Sequence, residues 1–168
     1  MKTKQKIYTL NKVSSNIKLV LFFFISNILF TYAQTTCDVT MSVLKDRNSR
    51  STTIDGTFYK MIITNKTNSN DLYHLSSLNN NTTCSNIDSS SNSSNVNLIV
   101  SFKDLNLNDI NSISVPAKET IEFYVHVNVP VGTLINKWCC SKIIAKSNTC
   151  NSYSVSSQLH TFVINANE

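Results

Sequence analysis

The stretch Thr120-Ile-Glu-Phe-Tyr-Val-His-Val-Asn-Val129 decides the fold. Ile121, Phe123, Val125, Val127 and Val129 alternate with Glu122, Tyr124, His126 and Asn128. Apolar residues at period two predict a strand with one buried face and one wet face. A helix would space its apolar residues three and four apart. Pro130 closes the run, because proline has no N–H to give to a ladder.

Working outward, the same texture recurs. Cys37 to Leu44 is a candidate strand, and Thr57 to Thr64 is another, rich in β-forming residues. Asn65 to Asp71 is a turn, followed by a strand over Leu72 to Ser77. Val96 to Lys103, Trp138 to Lys146 and Tyr153 to Ile164 complete the set, the last two joined through Ser147 to Asn151. Between them, 13 of the 19 residues from Asn79 to Asn97 are Asn or Ser. That composition offers little apolar surface to bury and predicts a disordered loop. No long 3.6-period segment and no repeat is present. About seven short strands separated by polar turns predict an all-β, antiparallel two-sheet sandwich.

The order of motifs resembles bacterial immunoglobulin-like or fibronectin-like domains of secreted and surface proteins. These often carry T-N-x-G-N-x-x-D-x-Y-x-L, then v-x-P-G-E leading into v-x-V-P, and finally v-x-A-x-S. The corresponding stretches are Ile63 to Leu75, Ser114 to Pro130 and Ile143 to Ser147, within residues 57–164. Lys66-Thr67 and Ala117-Lys118 replace the usual glycine turns, and Cys139-Cys140 stands where these domains have Thr and aromatic residues. The resemblance implies an immunoglobulin-like sandwich in an extracytoplasmic setting. It implies no activity, because a fold does not fix a function.

The five cysteines are Cys37, Cys84, Cys139, Cys140 and Cys150. Their spacing fits neither CxxC pairs nor zinc knuckles, so structural disulfides are the expectation for an exported chain. In a seven-strand antiparallel sandwich, the start of the first strand and the loop joining the last two share a pole. That places Cys37 near Cys150. The loop after the third strand and the start of the sixth share the other pole, which places Cys84 near Cys139 or Cys140. Neighbours on a strand point to opposite faces, so one of the pair should stay a free thiol. A vicinal Cys139–Cys140 bridge is the strained alternative.

Export itself is read from the N-terminus. Lys2, Lys4, Lys6, Lys12 and Lys18 precede the apolar run Leu19 to Phe30, and Thr31-Tyr-Ala33 follows. This is the n-region, h-region and small-residue exit of a signal peptide over residues 1–33, leaving a domain over 34–168. The competing reading is an uncleaved anchor, since Ile17 to Ala33 lies at the short limit of a bilayer span. The chain holds 15 basic and 10 acidic residues, with no acid before Ala33. The domain after Ala33 therefore has ten of each and no net charge. The basic balance that would hint at nucleic acid or anionic lipid therefore disappears.

No G-x-S-x-G, P-loop or glycine-rich phosphate loop is present, and the only glycines are Gly56 and Gly132. The acidic residues are too scattered to pick out a glycosidase pair. His74, His126 and His160 show no ligand spacing. Asn65, Asn80, Asn81 and Asn92 begin N-x-S/T sequons, which a chain this rich in Asn and Ser produces by composition. The expectation is a non-catalytic protein with no cofactor or metal, secreted, periplasmic or on the cell surface. It would bind, adhere or scaffold, meeting a protein or glycan partner, with no nucleic acid and no membrane span after signal cleavage. Two other readings remain: an inhibitor of an extracellular enzyme that inserts the 79–97 loop into a cleft, and a thiol or metal protein using Cys139-Cys140 with a nearby histidine.

A contact surface can also be named. If Leu159 and Val163 face the core, then His160, Phe162 and Ile164 face out. On the preceding strand the outward set is Trp138, Cys140, Lys142 and Ile144. Pairing centred near residue 149 puts Trp138 opposite His160. Trp138, His160 and Phe162 would then form an exposed patch suited to a partner or a carbohydrate. The alternative has Trp138 turned inward or covered by a loop.

Overall fold

The computed structural model describes residues 37–150 and 153–165. The expected signal segment over 1–33, its helix and its cleavage point lie outside the described residues. The described part is an immunoglobulin-like sandwich of two five-stranded sheets. Its strands are β1 (Val39–Val43), β2 (Ser49–Thr52), β3 (Thr57–Asn65), β4 (Asp71–Asn79), β5 (Ile99–Lys103), β6 (Asp109–Ile110), β7 (Ser112–Val115), β8 (Thr120–Asn128), β9 (Lys137–Ser147) and β10 (Ser154–Val163). One sheet runs β1-β3-β8-β5-β6 and the other β2-β10-β9-β4-β7. The seven strands expected from the sequence are β1, β3, β4, β5, β8, β9 and β10. The three additions are two to four residues long and lie at or near sheet edges. β2 joins β10 in parallel, His160 beside Ser49 through Val163 beside Thr52. The other paired strands described are antiparallel.

β8 takes the register its alternation dictates. Phe123, Val125 and Val127 are fully buried, while Ile121 and Val129 pack at the margin of the core. They meet Met61, Ile63, Ile143 and Leu159, all fully buried. Each such side chain is worth about 1.5–3 kcal/mol on leaving water. The outer face of β8 is half-buried because β3 pairs its side chains. Lys60 Nζ lies 2.6 Å from Glu122. Phe58 stacks on His126 at 4.1 Å between ring centroids. Tyr59 spans the core from β3, and its phenol bonds Thr161 Oγ1 at 2.9 Å and donates to the His160 carbonyl at 2.8 Å. Burial pushes its pKa up to about 12. Gly56 carries φ +80° at the turn before β3, where a Cβ would sit 2.5 Å from the Val127 carbonyl oxygen. Only glycine fits both demands.

The turn from Asn65 to Asp71 explains the motif found there. Asn65 is fully buried and donates to the Ser69 and Val115 carbonyls at 2.8 and 3.1 Å. Its oxygen accepts from the Thr67 amide at 3.0 Å, so one side chain ties β3, the turn and β7 together. Asp71 accepts from the Ser147 hydroxyl and from the Thr149 amide, bracing the β9–β10 connection. Burial pushes its carboxyl pKa up, but the Ser147 and Thr149 hydrogen bonds outweigh that and hold it below the usual value. Tyr73 and Leu75 then enter the core.

Candidate functional site

The site grows from the β9–β10 hairpin. Tyr153 closes the connection by donating to the Cys150 carbonyl, and Ser147 donates to the Tyr153 carbonyl, both at 3.0 Å. This turn centres the pairing one residue later than expected. Trp138 therefore lies opposite Phe162, and His160 opposite Cys140. The expected Trp138–His160 pairing is wrong by two residues, but the parity of the strand is kept. Trp138, Cys140, His160 and Phe162 do share the outer face.

That face is not the exposed patch expected. The expectation of a disordered loop over 79–97 is replaced by a hydrogen-bonded segment lying across β9. Where β4 stops pairing, asparagines continue its work. Asn80 donates its amide to the Cys140 carbonyl at 2.7 Å, and Asn81 Oδ1 accepts from the Cys140 amide at 2.8 Å. Val96 donates to the Trp138 carbonyl at 2.8 Å. Asn86 and Asn95 exchange side-chain hydrogen bonds at 2.9 Å each way. Asn92 donates to the Cys84 carbonyl at 2.9 Å. The Trp138 indole N–H donates to Asp88 at 2.9 Å, and its ring lies 4.9 Å from that of Phe162. Composition missed this because an asparagine side chain carries the same donor and acceptor as a peptide unit.

Cys84 bridges to Cys140, and Cys37 to Cys150, each with its Cα atoms 6.2 Å apart. Of the two partners open to Cys84, Cys140 is the one on the outer face beneath the loop. Cys139 points into the core, free and fully buried, so no vicinal bridge forms. Its Sγ lies 3.5 Å from both Asn79 Oδ1 and Ser141 Oγ. Burial pushes that thiol's pKa up, which makes it a poor nucleophile.

His160 joins the outer bridge. Its Nδ1 lies 3.5 Å from Cys140 Sγ and 3.7 Å from Cys84 Sγ. Burial lowers the pKa of the ring and favours neutral imidazole. His74 pairs with Lys146 on β9, six residues from Cys140 and about 20 Å away at roughly 3.3 Å per residue. His126 lies on the other sheet. The histidines do not form a shared site.

A second feature lies at the pole where β8 ends. Ile54, Val129, Pro130, Val131, Ile135 and Val163 line a groove of about 310 Å³. Val131 is 99% exposed, Ile54 65% and Leu134 63%. The sequence carries a signal for it. Val129-Pro-Val-Gly-Thr-Leu-Ile135 is an apolar run inside a Pro/Gly turn, where polar residues are the rule. Among the described residues no helix is long and apolar enough to cross a membrane.

No protein-family model and no curated protein matches the chain. Solved structures do. A FixG-related protein from Vibrio parahaemolyticus aligns with TM-score 0.50 at 15% identity, over 74% of this chain and 95% of that one. The complex of Salmonella enterica SafA pilin with the SafB chaperone aligns at 0.44 and 12% identity, over 80% of this chain and 57% of that one. The E. coli chaperone DraB aligns at 0.42 and 11%, over 76% and 54%. At 15% identity the first of these likenesses shows the fold alone.

Proposed function

We propose that the chain is an exported, non-catalytic immunoglobulin-like module with a binding or scaffolding role toward a protein partner at the cell envelope or outside the cell. The exposed apolar pole carries this reading. Val131, Leu134 and Ile54 spend apolar area on water beside a groove, and such patches mark interaction sites. The two disulfides fit an oxidising compartment and an export signal over residues 1–33. The loop over 79–97 is bound to its own sheet, which counts against an inhibitor that inserts it into a cleft. Val131→Asp with Leu134→Asp tests the reading, because both side chains are exposed and the thermal midpoint should hold. Photo-crosslinking from position 135 in native envelope and medium should yield a discrete adduct that the double variant loses. An adduct that survives the double variant sinks the reading.

A further inference from the structure

We propose that the reduced form of the Cys84–Cys140 pair, together with His160 Nδ1, is a three-ligand site for a thiophilic d10 metal ion, Zn²⁺ or Cu⁺. Among the described residues, this is the one group of three such side chains whose ligand atoms converge, all within 4.8 Å. A bridge that served only to staple the loop would need no third donor. Here the imidazole nitrogen stands 3.5 and 3.7 Å from the two sulfurs. Two thiolates and an imidazole are the donor set that soft and borderline ions select.

The backbones that carry the ligands have hydrogen bonds of their own besides the S–S bond. His160 and Cys140 are direct cross-strand partners on β10 and β9. Cys84 is held by its own backbone. Its amide donates to the Asn80 carbonyl at 3.2 Å, and its carbonyl accepts from Asn92 at 2.9 Å. Asn80 and Asn81 in turn grip the Cys140 carbonyl and amide. None of those hydrogen bonds runs through the two sulfurs. Cys139 faces the core from the opposite side of β9 and is no ligand.

The chemistry balances with a dithiol as reductant. Two electrons and two protons pass to Cys84 and Cys140, their S–S bond breaks, and the dithiol closes its own disulfide. Metal binding then displaces both thiol protons. Disulfide and metal thiolate become alternative states of one cluster.

The test uses the full chain, reduced with a phosphine under anaerobic conditions. One arm titrates Co²⁺ as the spectroscopic substitute for Zn²⁺; the other titrates Cu⁺ against bicinchoninate. One equivalent of at least one ion should bind, with thiolate-to-metal charge transfer in the cobalt arm. His160→Ala should weaken it at least tenfold, and Cys84→Ser with Cys140→Ser should abolish it. Cys139→Ala and the pair Cys37→Ser with Cys150→Ser should leave it unchanged. Failure of both ions to bind overturns the proposal, as does binding that ignores His160 or needs Cys37 and Cys150. Loss of the β-sheet circular dichroism signal on reduction, before metal is added, overturns it equally, since the site requires a loop that stays folded without its bridge.

Discussion

β8 and the segment that crosses β9 between residues 80 and 97 are both well ordered by their contacts, yet different physics holds them. β8 is held by water. Phe123, Val125 and Val127 are fully buried against the facing sheet, and a shift of one residue would expose all three. The crossing segment buries little apolar surface. Asn80, Asn81, Asn86 and Asn92 hold it through hydrogen bonds, and one disulfide pins it. A hydrogen bond exchanged with water is worth about 0.5–1.5 kcal/mol net. The first region should therefore fail as a whole when one residue is changed, and the second should fail piece by piece.

The sharpest way to break this contrast is a charge placed in each region. Val125→Asp buries a carboxylate with no partner and should cost more than about 4 kcal/mol, leaving the chain unfolded at room temperature. Ser94→Asp, exposed on the crossing segment, should move stability by less than about 0.5 kcal/mol. Chemical denaturation followed by circular dichroism separates the two. A folded Val125→Asp protein would mean that β8 is not the inner strand it is described as.

The same contrast explains what could be read from the chain in advance. β8 repeats its alternation five times, enough to fix strand, face and register. The Asn65 to Asp71 turn was legible because Asn65, Thr67 and Ser69 bond within it, whereas the reach of Asn65 to Val115 and of Asp71 to Ser147 and Thr149 was not. β2, β6 and β7 span two to four residues and are too short to show a period. The facing of Trp138 was legible from parity, but its partner was not, because hairpin register depends on a turn whose hydrogen bonds are set in three dimensions. The Asn/Ser stretch was the least legible. Whether an asparagine meets water or a strand edge depends on residues far along the chain, 59 positions in the case of Asn81 and Cys140. The apolar pole was legible in principle, since Val131, Leu134 and Ile135 contradict the polarity of their turn.

A middle-sized effect sharpens the comparison. Asn86 is 5% exposed and donates to Ser90 Oγ at 3.0 Å and to Asn95 Oδ1 at 2.9 Å. Asn86→Ala removes those donors and leaves Asn95 short of its partner, for a loss of about 1–2 kcal/mol. Amide exchange should quicken across residues 84–96 and stay unchanged in β3 and β8. Equal quickening in the core strands would show that the crossing segment is part of the global folding unit rather than an appended one.

The smallest effect is confined to one hydrogen bond. The Trp138 indole N–H donates to Asp88 Oδ2, and this bond leads the causes that hold the Asp88 carboxyl below its ordinary pKa. The sign follows from the donor: an N–H aimed at the carboxylate favours the charged form, so protonation needs a lower pH. Trp138→Phe keeps an aromatic ring against Phe162 and deletes the donor. The Asp88 carboxyl should then titrate at a higher pH, back toward the usual carboxylate value, by carbon-detected NMR. Amides of Ser89 and Ser90 should exchange faster, while the thermal midpoint holds, because no buried core side chain has changed. Asp88 titrating identically in both proteins would mean that Trp138 does not reach the loop, and that the outer face of β9 and β10 is open after all.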